Sequence, residues 1–200
     1  MKGNRSPLLS AGLRQARFFL TLLLCYLLQV SVIPYLRFGG VTPNLLLIVM
    51  AVSIVCLGRL RGLWAGVVYG VLLEVMMPTL RLLNLILYPA SALFAGLFFA
   101  NKTERRMEME RSQNKAGRNL NDSLRVLLCT LALAALFEAV NLVYVYLGGN
   151  DITGTHLHRS LTSLWMTVLP AIPVGWLLRL ALGFPRKASR KETADHPSYS

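Results

Sequence analysis

Two carboxylates, Glu74 and Glu138, stand inside apolar runs of a 200-residue chain, and what they do depends on which groups surround them. Residues 62–80 carry no charge besides Glu74, and residues 126–150 none besides Glu138. An ionised group at the bilayer centre costs about 3 kcal/mol or more on insertion scales, so an acid kept in such a run serves a purpose. Asn141 follows Glu138 by one helical turn, on the same face. Asn44 and Asn84 open two further apolar runs, and Gln29 lies late in the first. Acids in a membrane raise hydrolysis or a proton relay, but no nucleophile stands beside a base and there is neither an HExxH pair nor a glycine-rich phosphate loop. The expected function is therefore non-catalytic, with no cofactor and no metal. His156 and His158, near Asp151 in "DITGTHLH", are the one metal-like grouping; His-x-His in a loop is a weak ligand pattern, and the stretch reads as a solvated outer loop.

The elements that must hold these side chains are long and apolar. The chain is 54% hydrophobic with a mean hydropathy of +0.52, and residues 18–36, 38–58, 82–100 and 160–178 carry no charge at all. A helix needs about 20 mostly apolar residues to cross the hydrocarbon core. The fold class expected is an all-α, polytopic membrane helical bundle of six transmembrane helices, spanning about 18–36, 41–58, 62–78, 82–100, 124–148 and 160–180. One membrane domain covers 1–184, and 185–200 is a basic tail expected to be disordered. The first apolar run is too long for a signal peptide and no small-residue cleavage site follows it, so it is expected to stay as an anchor.

Charge sorts the two sides. The N-terminal tail, the turn with Arg59 and Arg61, the connection 101–125 and the C-terminal end together hold 18 Lys and Arg; the opposite side holds only Arg37, Arg81 and Arg159. By the positive-inside rule both termini are cytoplasmic, in a bacterial-type inner membrane. The formal net charge of +12 is then mainly a matter of topology, with anionic lipid of the bilayer as counter-surface and no nucleic acid as partner. Cys25, Cys56 and Cys129 each sit in an apolar run and read as small buried hydrophobes. Pro78 is expected to end the third helix. The 101–125 connection, with four acids and seven bases, reads as a solvated linker or as a segment that docks a partner or a lipid surface.

Small residues mark helix packing. Gly62, Gly66 and Gly70 recur every four residues in the third span, which predicts a central helix closely approached by a neighbour. The next step of four is Glu74. At about 1.5 Å per residue, Glu74 lies roughly 18 Å from the cytoplasmic start of its span and Glu138 roughly 21 Å from that of its own, so both reach the outer half. Glu74, Glu138, Asn141, Asn44 and Asn84 are thus expected to form one buried polar cluster, with Glu74 bonded to Glu138 or Asn141. Two readings of that cluster stand: an outward-facing cavity, or a sealed hydrogen-bond network.

The stretch "TPNLLLIVMAVSIVCLGRLRGLWAGVVYGVLLEV" resembles the core signature of MreD, the rod-shape-determining membrane protein family of bacteria. Pro43, Asn44 and Leu45 match the family's opening of the second span; Gly66, Gly70 and Glu74 match its glycine-and-acid pattern in the third, where the acid is usually Asp. Asn84 matches a later family asparagine, without the glycine that usually precedes it. The resemblance covers roughly residues 41–100; the basic 101–125 connection and the long tail depart from it. It implies a six-helix architecture similar to the substrate-binding components of energy-coupling-factor transporters. It further implies a scaffold role in cell elongation, with an MreC-like bitopic protein as partner and, through it, a RodA-like polymerase and its penicillin-binding transpeptidase. The rival reading is the substrate-binding membrane subunit of a small-molecule importer.

Overall fold

The computed structural model describes residues 7–36, 40–76, 83–99, 122–149, 151 and 153–182. The outer links around 37–39 and 77–82 with the expected stop at Pro78, most of the 101–125 connection, and the tail 185–200 lie outside the described residues.

Regular structure among the described residues is helical. The helices are α1 (Pro7–Ser31), α2 (Leu45–Val52), α3 (Arg59–Met76), α4 (Leu83–Phe99), α5 (Asp122–Leu147), α6 (Gly154–Val168) and α7 (Ala171–Ala181). A short 3-10 turn, Ile33–Tyr35, follows α1, and a π turn, Ser53–Leu57, extends α2. Three stretches are long and apolar enough to cross a membrane: Gln15–Tyr35, Ser123–Leu147 and Gly154–Ala181. Leu45–Leu57 and Leu83–Phe99 are apolar but shorter. Leu20, Phe94, Phe98, Trp165 and Trp176 stand on the outside of the bundle, the apolar exterior that hydrocarbon requires.

The centre of the bundle is α2, not the glycine-bearing third span. Every residue from Leu45 to Val52 is buried. It is enclosed by α1, α3, α5, α6 and α7. A helix that is apolar all round is stable only where no face meets water, and enclosure by other helices also frees it from matching the bilayer thickness. By contrast α3 leaves Trp64, Val71 and Val75 exposed. Its glycines face two individual neighbours, the π turn at Gly62 and α4 at Gly66 and Gly70, rather than the whole bundle.

The turn between α2 and α3 is tighter than the expected charged connection. Gly58 alone makes it, at φ +94°, and Arg59 and Arg61 already belong to α3. A side chain at that φ would be strained. The sixth apolar segment begins at Gly154 rather than near 160, so His156 and His158 lie in the first two turns of α6 and not in a loop. It breaks at Pro170, which lacks the N–H that would continue the helix, and resumes as α7.

Two tyrosines tie α1 to α3 reciprocally. The Tyr69 hydroxyl of α3 donates to the Leu22 carbonyl at 3.2 Å, and the Tyr26 hydroxyl of α1 donates to the Leu72 carbonyl at 3.3 Å. Toward the other end of the bundle, Arg125 at the start of α5 donates to the Phe99 carbonyl at 3.1 Å. That bond satisfies one of the carbonyls left over at the C-terminus of α4 and places a cation at the negative end of its dipole.

Candidate functional site

The glycine stripe builds a seam. A Cβ on Gly66 would come within 2.8 Å of the Tyr88 carbonyl and 3.0 Å of the Ala92 Cβ; one on Gly70 would reach the Asn84 carbonyl at 2.9 Å and the Leu85 Cα at 3.3 Å. These are backbone-to-backbone approaches of α3 and α4 that only glycine permits. Pro89 lies inside α4 against the same two glycines. Gly62 meets a different partner, Ile54 of the π turn. The reason is angular: a spacing of four residues overshoots a full helical turn by about 40°. Three such steps carry the stripe about 120° around α3, from the α2 side at Gly62, through α4 at Gly66 and Gly70, and onward at Glu74.

That rotation divides the expected polar cluster. Two adjoining cavities, of about 400 Å³ and 200 Å³, share Thr42, Glu138, Asn141 and Ser163 as lining. Gln29 and Asn44 line the smaller one. Neither cavity is lined by Glu74 or Asn84. Both of those residues are half-buried, on α3 and at the start of α4. The side chains of Glu138 and Asn141 make no hydrogen bond or ion pair among the described residues, so the bond expected from Glu74 to one of them is not formed.

The inner wall of the paired cavity is a closed hydrogen-bond network. Asn44 sits at the N-cap of α2 in extended conformation, and its Oδ1 accepts from Leu46 N at 3.1 Å. Its Nδ2 donates to Tyr88 Oη at 3.3 Å, and its backbone N–H donates to Thr167 Oγ1 at 3.1 Å. Gln29 of α1 clamps the residues on either side: its Nε2 donates to the Pro43 carbonyl at 3.2 Å and its Oε1 accepts from Leu45 N at 2.7 Å. Tyr88 then stacks edge-on against Phe137 of α5, with ring centroids 4.7 Å apart. The first turn of α2 would otherwise bury unsatisfied N–H groups, and these two amides remove that cost.

The outer wall is the opposite. It lies mainly between α5 and α6, and its charged and polar groups are Thr42, Glu138, Asn141, Tyr144, His156, Arg159, Ser160 and Ser163. No hydrogen bond or ion pair engages any of these side chains among the described residues. Depth is graded, from exposed Asn141 and Arg159 through half-buried Glu138 and His156 to fully buried Thr167. The paired cavity thus has a hydrogen-bonded floor and a mouth of unengaged polar groups. Ser160 and Ser163 share the mouth with His156, yet no hydrogen bond joins hydroxyl to imidazole. No group of three His, Cys, Asp or Glu able to hold a metal occurs among the described residues.

Sequence reasoning named Gln29, Asn44, Glu138 and Asn141 of this site and missed the α6 side. The signal is present: His156, Ser160, Ser163 and Thr167 recur at i, i+4, i+7 and i+11, and Leu157, Leu161, Leu164 and Val168 run beside them at the same spacing. Comparison with protein-family models, with curated proteins and with solved structures finds no match for this chain.

Proposed function

We propose that this chain is a non-catalytic, six-span component of a bacterial inner membrane, with both termini cytoplasmic, that serves the cell-elongation machinery as MreD-like proteins do. Its task is to hold an MreC-like bitopic protein and, through it, a RodA-like polymerase and its penicillin-binding transpeptidase, so that lateral peptidoglycan synthesis is assembled and regulated. The observation that carries the reading is that three of the residues behind the resemblance, Asn44, Gly66 and Gly70, each have a mechanical role in the bundle. Asn44 caps α2, and Gly66 and Gly70 seat α4 on α3. Glu74 lies one turn further along. Six passes follow if α1, α2 with its π turn, α3, α4, α5 and the α6–α7 pair each cross once, and the apolar exterior leaves wide faces for lateral partners.

The test is affinity purification of the full chain from native membranes in a gentle detergent, with mass spectrometry of what accompanies it. An MreC-like protein together with a wall-synthesis polymerase supports the scaffold. Their absence, with paired ATPases and a coupling membrane subunit in their place, rejects it. That second reading, the substrate-binding subunit of an importer with an energy-coupling-factor-like bundle, is favoured by the paired cavity between α5 and α6.

A further inference from the structure

We infer that the cavity between α5 and α6 binds a small zwitterion, a molecule carrying an ammonium group beside a carboxylate or phosphate, with Glu138 receiving the cation and Arg159 and His156 the anion. The inference goes beyond the scaffold reading and does not depend on it: the cavity can be filled or empty whichever machinery the chain serves.

Three observations carry it. First, a carboxylate, a guanidinium and an imidazole line one cavity, and none of them is engaged by another protein group among the described residues. Half-buried Glu138 has exposed Arg159 on the same cavity, yet the two form no direct ion pair. The structure holds them on opposite walls, Glu138 on α5 and Arg159 on α6, with space between. Second, that space, about 400 Å³, falls at the low end of small-molecule sites, which suits an amino acid or a phosphoethanolamine rather than a chain segment. Third, the floor is already satisfied. Asn44 and Gln29 spend their amides on the start of α2, so the floor is rigid while the wall groups stay available. A built-in second layer under unengaged polar groups is how binding sites are preorganised. A group of one sign would leave Glu138 or Arg159 facing a like charge or an empty space; a zwitterion answers both.

This chemistry has two sources: a free amino acid from the aqueous side, or the headgroup of phosphatidylethanolamine from the outer leaflet. The full chain, purified in a nonionic detergent and stripped of lipid, is titrated calorimetrically with alanine, with O-phosphoethanolamine and with a short-chain phosphatidylethanolamine. Ethylamine, acetate and inorganic phosphate are the single-charge controls. The expected result is saturable binding of at least one zwitterion, tighter than every single-charge control by about tenfold or more, since charge-assisted bonds form at both ends. Binding of alanine alone assigns the aqueous source; binding of both phosphoethanolamine compounds without alanine assigns the lipid. Glu138→Gln and Arg159→Gln should each weaken the bound zwitterion by about tenfold with the helical circular dichroism unchanged. Should either variant fail to accumulate, Ser163→Phe, which fills the cavity without altering charge, should abolish binding. Failure of all three zwitterions to bind, single-charge controls that bind equally well, or well-folded variants that bind like the parent would each overturn the proposal.

Discussion

Asn44 and Tyr88 are joined side chain to side chain, the Asn44 Nδ2 donating to the Tyr88 Oη at 3.3 Å, while the backbone carbonyl of the same Tyr88 faces Gly66 across the α3–α4 seam. One residue therefore touches both features that the sequence singles out: its ring end holds the cavity floor and its backbone lies in the glycine groove. The seam and the cavity are mechanically one object.

Asn44 does two jobs, and substitutions separate them. Asn44→Ala removes the cap of α2 and the bond to Tyr88, leaving a buried N–H unsatisfied, and should cost about 1–2 kcal/mol. Asn44→Asp keeps an oxygen for Leu46 N and can accept from the Tyr88 hydroxyl, so it should cost less. Thermal unfolding in detergent, followed by circular dichroism, ranks the two. An alanine variant as stable as the parent would mean that the cap carries no weight.

The glycines should respond in an order set by what a Cβ meets. Gly66→Ala and Gly70→Ala press on the α4 backbone, which cannot yield locally, and should each lower stability by about 1–3 kcal/mol. Ile at either position should separate the helices and abolish assembly with partners. Gly62→Ala meets the Ile54 side chain and also its Cα at 3.2 Å, and belongs with the harmful changes. Gly12, with nothing within 4 Å and a helical position in α1, is the control: Gly12→Ala should be neutral or slightly stabilising. A Gly66→Ala protein with the stability of Gly12→Ala would refute the seam.

Much of this was legible before any coordinates, and what was not has a common cause. Asn44 as the opening of a helix after Pro43 follows from capping chemistry, and the glycine spacing follows from close packing. Position along each helix was also readable, because rise per residue is constant. The azimuth was not. Glu74 and Glu138 were placed at similar depth and joined into one cluster, but a four-residue spacing turns Glu74 away from Gly62 by about a third of a circle. The glycines also drew attention to α3 as the centre, although α2, apolar on all sides, is the helix that has to be enclosed. His156 was read as part of a solvated outer loop and Arg159 only as an outer-side charge, because the polar start of α6 has no uninterrupted apolar run, even though its leucines keep helical spacing.

The reciprocal bonds of Tyr26 and Tyr69 make a further prediction. Tyr69 is fully buried and Tyr26 nearly so, and each hydroxyl reaches a carbonyl of the other's helix. Phenylalanine at either position removes a single bond without changing shape and should cost about 1 kcal/mol. Because both bonds fix the same pair of helices, the double variant should deviate from additivity, unlike changes at independent sites. Strict additivity in a double-mutant cycle would show that α1 and α3 are not held by this pair.

Glu74 is best tested by separating its charge from its shape. It lies half-buried on α3 one turn past Gly70, along the line that the seam follows, and lines neither cavity. If Glu74 serves packing through hydrogen bonding, a neutral amide of the same length suffices. Glu74→Gln should therefore keep both stability and partner recovery close to those of the parent. Glu74→Leu, which matches the bulk but offers no polar atom, should lose partner recovery in the same affinity purification. If glutamine fails as badly as leucine, the ionised carboxylate itself is required, and Glu74 belongs to a charge-dependent function rather than to the seam.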